Sequence, residues 1–155
     1  MTVQTLQPVL SRQPFFEGIP EPQLEVLTGC ASQVRFAAGE FLFHMGADAD
    51  VFYLVRHGRI GLELYTSERG PITVMTAGEG DVVGWSWIVP PFKWELDARA
   101  IEPSLVLQFD AACLRKKCEA DHELGYEMYK RFAPIIAKRL QATRLQVLDV
   151  HRLYA

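Results

Sequence analysis

The residues with the most chemical potential lie in one run, Gly84-Trp85-Ser86-Trp87-Ile88-Val89-Pro90-Pro91-Phe92-Lys93-Trp94-Glu95-Leu96-Asp97-Ala98-Arg99-Ala100. A glycine that opens a turn lets backbone N–H groups come close to an anion. Just after it, Ser86 adds a hydroxyl. Trp85, Trp87 and Trp94 present flat π faces on which a base or another planar molecule can stack. Lys93 brings a positive charge that could meet an anionic group. Asp97 and Arg99 are two apart on a predicted strand, so they share a face and are candidates to satisfy each other. The competing reading is that three tryptophans and two prolines simply fill the space with side chains. Both readings stay open at this point.

Other chemistry is poorly supported. His44, His57, His122 and His151 are scattered and show no metal-ligand spacing. Cys113 and Cys118 are five apart on a predicted helix, hence roughly 140° apart around its axis, and cannot grip one metal from one face. Gly84-Trp85-Ser86-Trp87 lacks the second glycine of a nucleophile elbow. No carboxylate pair is marked by its neighbours as acid and base. The expectation is a protein that is not an enzyme and has no metal or resident cofactor. Three cysteines without a CxxC pair fit free thiols in a reducing, cytoplasmic setting. A formal net charge of −3 leaves no electrostatic footprint for a polyanion. No apolar run is long enough to span a bilayer, and the first residues carry no secretion signal.

The elements that must position the run follow from a changing period. Residues 1–13 read as a loosely held lead-in. A short helix is predicted after Pro22, with Leu24, Leu27 and Ala31 on one face and Gly29 weakening its end. From Gln33 to Asp110 the period is two: Phe52 and Leu54 alternate with Tyr53 and Val55, and Ile60, Leu62 and Leu64 alternate with Gly61, Glu63 and Tyr65. Glycines 39, 46, 58, 70, 78, 80 and 84 stand between such runs. This is the pattern of short antiparallel strands closing into a roll, sandwich or barrel. Asp110 then caps one helix and Asp121 a second, long one, which Pro134 should kink or break. Along it Ile136, Leu140, Thr143, Val147 and Val150 step by four, three, four and three. That heptad seam either packs on the chain's own roll or meets a partner helix; the helix is so long that a partner, a second copy of the chain, is favoured.

The phrases PFFEGIPEPQLEVL, FAAGEFLFHMGADADVFYLVRHGRIGLE, GEGDVVGWSWI and LDARAIEPSLVLQFD, in this order, resemble the sensor domain of the cyclic-AMP receptor and Crp/Fnr regulator family. The resemblance covers roughly residues 14–150. It implies a mainly β fold with flanking helices: an antiparallel double-stranded β-roll of the jelly-roll type, an N-terminal helix and a long C-terminal helix. It also implies a short phosphate-binding cassette, in which a Glu after a Gly takes the ribose hydroxyl and an Arg near an R-[ST]-A end takes the cyclic phosphate. Aligning Gly84 and Ala98-Arg99-Ala100 puts Trp85 at the Glu position and Trp94 at the Arg position. The standard cyclic-AMP contacts are therefore degenerate here, because tryptophan offers one neutral donor where the family has charge.

The expected organisation is a lead-in over 1–13, the roll with its flanking helices over 14–120, and a dimerisation helix over 121–155. The expected function is a stand-alone regulatory domain that senses a small molecule, a cyclic nucleotide or another nucleotide-like ligand, near residues 84–99 and signals through the long helix to an unknown protein partner. The alternative is a ligand-free dimeric assembly domain. The initiating Met1 and the short tail after the helix favour a complete chain with no recognition helix, hence no direct reading of DNA.

Overall fold

Aromatic and branched side chains alternating along short strands must bury at least one face, and here they close two sheets on each other. The computed structural model describes the backbone of residues 3–154 and the side-chain environment of residues 6–150. The strands are β1 (Ala31–Phe36), β2 (Phe41–Phe43), β3 (Val51–His57), β4 (Ile60–Thr66), β5 (Gly70–Ala77), β6 (Val82–Val83), β7 (Asp97–Ala100) and β8 (Ser104–Asp110). They form two four-stranded sheets, β1-β8-β3-β6 and β2-β7-β4-β5, with every pairing antiparallel. Helices α1 (Val3–Ser11) and α2 (Glu21–Gly29) precede this roll, and α3 (Ala111–Ala120) and α4 (His122–Tyr154) follow it. The expected roll with flanking helices is the fold observed.

Strand β3 explains the architecture. Phe52, Tyr53, Leu54 and Val55 are all buried, so both faces of the strand are covered. Tyr53 points into the roll, where its ring packs near Phe36 and Phe43 and its hydroxyl donates to the Leu42 carbonyl at 3.3 Å, joining one sheet to the other. Burial pushes the Tyr53 phenol up to about 12, so it stays a donor. Phe52 points the opposite way, toward the helices. It stacks on its cross-strand neighbour Phe109 at 4.5 Å and on Trp87 at 5.0 Å, while Phe132 of α4 stands edge-on to it at 5.2 Å. Alternation along β3 thus assigns one set of side chains to the roll interior and the other to the helical layer.

The N-terminus departs from expectation. Residues 1–13 are not a loose lead-in: they contain α1, and Leu6 and Leu10 are buried in the main core. Two apolar residues four apart make one helical face, and Pro8 between them argues against a helix in the sequence. Met1 and Thr2 lie outside the described residues. Helix α2 starts at Glu21 with Pro22 in its first turn and buries Leu24 and Leu27, but Ala31 already belongs to β1.

Both predicted caps form. The Asp110 carboxylate accepts from the Cys113 N–H at 3.0 Å, and that of Asp121 accepts from the N–H groups of Glu123 and Leu124 at 3.1 and 3.3 Å. Pro134 does not break α4, which runs from His122 to Tyr154 with the proline inside it. The carbonyl that loses its partner belongs to Lys130, which is exposed, so water can satisfy it.

If α1 is part of the core, Leu10→Ala should destabilise the protein by about 2–5 kcal/mol in chemical denaturation, the usual range for truncating a buried leucine. A loose lead-in would leave the unfolding midpoint unchanged.

Candidate ligand-binding site

Between the β2-β7-β4-β5 sheet and α4 lies a cavity of about 450 Å³, within the size range of small-molecule sites. Its floor is apolar: Phe43, Leu62, Leu64, Val74 and Met75. The cassette contributes Gly84, Trp85, Ser86, Trp94, Glu95 and Leu96. Helix α4 lies over these walls with Ile136, Arg139, Leu140, Ala142, Thr143 and Gln146. One helix therefore closes a site whose other walls belong to the roll.

The three tryptophans have different duties. Trp94 is buried and stacks on Phe43 with centroids 3.7 Å apart and planes 9° off parallel, so it forms part of the cavity wall. This stack depends on Gly84, which adopts φ +93°; a Cβ there would sit 2.6 Å from the Trp94 ring. Trp85 is half-buried and also lines the cavity. Trp87 does not: it is fully buried between Phe52 and Phe132, and its Nε1–H finds no partner among the described residues. It serves the core rather than a ligand.

The charged candidates are placed elsewhere than expected. Lys93 pairs with Asp48 on an exposed edge and does not line the cavity. Asp97 and Arg99 do not satisfy each other. The Arg99 guanidinium pairs with the buried Glu63 carboxylate at 2.6 Å and sits over the Phe41 ring, while Asp97 accepts from the Met45 N–H at 2.7 Å with His44 nearby at 3.7 Å. Strand β7 is paired to β4, so the partner offered to each side chain comes from across the sheet or from the neighbouring β2 turn, not from two positions along. Sequence reasoning missed Arg139, the one basic side chain on the cavity wall among the described residues. Its spacing of three from Ile136 and four from Thr143 was the available signal, once that face is turned to the roll.

The seam on α4 splits. Ile136, Leu140 and Thr143 face the chain's own cavity, against the expectation of a partner helix along the whole stripe. Val147 and Val150 remain exposed, together with Leu145 and Leu148. The cassette turn, Ser86–Ile88, is wired to both C-terminal helices. Arg115 of α3 donates to the Trp87 carbonyl at 2.7 Å and the Ala49 carbonyl at 2.9 Å, and the Tyr129 hydroxyl of α4 donates to the Ile88 carbonyl at 3.4 Å. At the far end of the cavity, Gln146 Nε2 donates to the Val74 carbonyl at 3.1 Å. Val74 is the extra residue where the β4–β5 register slips between Leu62 and Glu63, so its backbone is unpaired in the ladder and available to α4.

Burial raises the thiol of Cys30 and pushes that of Cys118 up to about 11, so both are protonated at neutral pH. Among the described residues no group of His, Cys, Asp and Glu is set to hold a metal, and no helix is long and apolar enough to cross a membrane.

Gly84→Ala should cost about 1–3 kcal/mol, the range for a non-glycine residue held in a strained backbone region, and should alter Trp emission by displacing the Trp94–Phe43 stack. Wild-type stability and an unchanged spectrum would show that the cassette corner tolerates a side chain.

The family model of the cyclic nucleotide-binding domain matches residues 33–121. Among solved structures, a Geobacter metallireducens protein assigned as cyclic nucleotide-binding superposes with a TM-score of 0.76 at 25% identity, over 90% of this chain and 98% of that one. A cyclic nucleotide-binding domain from Methylobacillus flagellatus gives 0.75 at 14% identity, over 95% of this chain and 83% of that one. The sensor domain of the transcriptional regulator DNR from Pseudomonas aeruginosa gives 0.70 at 18% identity, over 90% and 93%. With the roll, the cassette corner at Gly84 and the helix-covered cavity in place, and with the family model spanning more than half of its residues, the chain belongs to the cyclic nucleotide-binding domain family.

Proposed function

We propose that this domain senses a small, planar ligand in the cavity between the roll and α4, and that α4 reports occupancy to a partner. The observation that carries this reading is that the helix itself forms one wall of the cavity, through Ile136, Arg139, Leu140, Ala142, Thr143 and Gln146. A ligand touching both walls favours the conformation in which they are apposed, and can shift the helix only by that differential affinity. The helix is held asymmetrically. In its N-terminal third Phe132 is clamped in the aromatic core, whereas the contact from Gln146 to Val74 is a single exposed hydrogen bond. Such a bond contributes about 0.5–1.5 kcal/mol, so it holds the outer part of α4 only weakly by itself, and a ligand contacting both walls adds to it. The degenerate cassette argues against the standard set of cyclic-AMP contacts, and the Trp85 and Trp94 faces favour a planar ring system.

The exposed Leu145, Val147, Leu148 and Val150 support a second element of the reading, that the outer part of α4 pairs with a second copy of the chain. Four large apolar side chains on two turns are poorly suited to water but well suited to a helix partner.

A panel of cyclic AMP, cyclic GMP, cyclic dinucleotides and adenine nucleotides, read by thermal shift and Trp fluorescence, tests the sensor reading. At least one member should raise the Tm and change the emission, and Trp94→Ala should abolish both effects. Silence across the panel would favour a ligand-free assembly domain. For the helix, sedimentation should give a dimer that Leu145→Asp combined with Leu148→Asp converts to monomer; a monomeric wild-type chain would remove that element.

A further inference from the structure

We infer that Arg139 is the cation that receives the anionic group of the ligand, so that the charge contact sits on the long helix rather than on the cassette. The inference rests on the reading of the cavity as a ligand site and names the ligand class: a planar organic anion, such as a nucleotide with one phosphate group.

The case begins with what the cassette lacks. Its two basic side chains are committed elsewhere, Lys93 to Asp48 and Arg99 to Glu63, and neither lines the cavity. Among the described residues that do line it, only Glu95 and Arg139 carry charge. Glu95 is exposed at the rim and stays solvated, whereas Arg139 is partly buried beneath the roof. Among the described residues the Arg139 guanidinium makes no ion pair and no side-chain hydrogen bond. Burial draws its pKa below the usual arginine value, with Glu95 working in the opposite direction. The group remains charged at any ordinary pH, so its desolvation is a cost that Glu95 only partly offsets.

Five N–H donors in a planar fork suit a phosphate or carboxylate better than a neutral hydroxyl. The remaining wall is aromatic and aliphatic, with the Trp94–Phe43 stack on one side and Leu62 and Leu64 below. An anion on Arg139 with a ring system against that wall would use both features at once. It would also draw α4 onto the roll, because the charge it neutralises belongs to the helix.

Calorimetric titration of the full chain with cyclic AMP and cyclic GMP, and with adenosine and guanosine as their uncharged counterparts, tests this directly. Arg139→Ala and Arg139→Lys are compared with wild type, and circular dichroism confirms that each variant is folded. The nucleotide should bind at least about tenfold tighter than its nucleoside, and Arg139→Ala should lower nucleotide affinity by about tenfold or more while leaving nucleoside affinity within about twofold. Arg139→Lys should retain part of the nucleotide preference. A nucleoside that binds as tightly as its nucleotide, or a nucleotide that binds Arg139→Ala like wild type, overturns the inference while leaving the cavity a ligand site. No heat from any of the four compounds overturns both.

Discussion

Phe132 meets Phe52 and Trp87 edge-on at 5.2 Å, and this contact decides where the long helix leaves the roll. Edge-to-face packing of this kind is directional as well as apolar, so it fixes an angle and not merely a proximity. Phe52 is in turn stacked on Phe109 across the β3–β8 pair, and Phe16 tilts against Phe109 from the N-terminal side. Five segments far apart in sequence therefore converge on one aromatic cluster. From it α4 extends over the opposite sheet, and the cavity exists because the helix is anchored there and points that way.

The same cluster turns a cassette residue into a structural one. Trp87 occupies the middle of the short turn that follows Gly84, yet its ring belongs to the helical core. Its carbonyl is held by Arg115 of α3, and the next carbonyl by Tyr129 of α4. This turn thus touches both helices directly, through polar contacts and a packed ring. Trp94 sits on the other side of the corner and faces the cavity instead. Within ten residues the chain provides one tryptophan that anchors and one that can meet a ligand, and the positive φ of Gly84 lets both fit.

Much of the fold was legible in the sequence because its signals are local. Strand alternation, the two Asp caps and the glycine corners each depend on neighbours a few residues away. Of the candidates in the strip from 84 to 99, Gly84, Trp85, Ser86 and Trp94 line the cavity, whereas Trp87, Lys93, Asp97 and Arg99 do not. The partners of the charges were not legible, since Asp48, Glu63 and Met45 reach Lys93, Arg99 and Asp97 from other strands and turns that no local pattern encodes. The seam on α4 was visible as a seam. What it faces was not, because heptad spacing describes a stripe and is silent about its partner. Helix α1 escaped notice for a related reason: only two large residues, Leu6 and Leu10, commit it to the core.

Regulation in this account comes down to whether α4 is drawn onto the roll when the cavity is filled. Backbone hydrogen exchange over residues 135–147, with and without a saturating nucleotide, addresses this most directly, because it reports opening of that helical segment separately from the stability of the roll. We expect the bound form to show slower exchange across this segment, while the already buried β3 and β8 change little. Binding that leaves the exchange of α4 unaltered would contradict the account, and would make the helix a passive lid over a site that signals by another route.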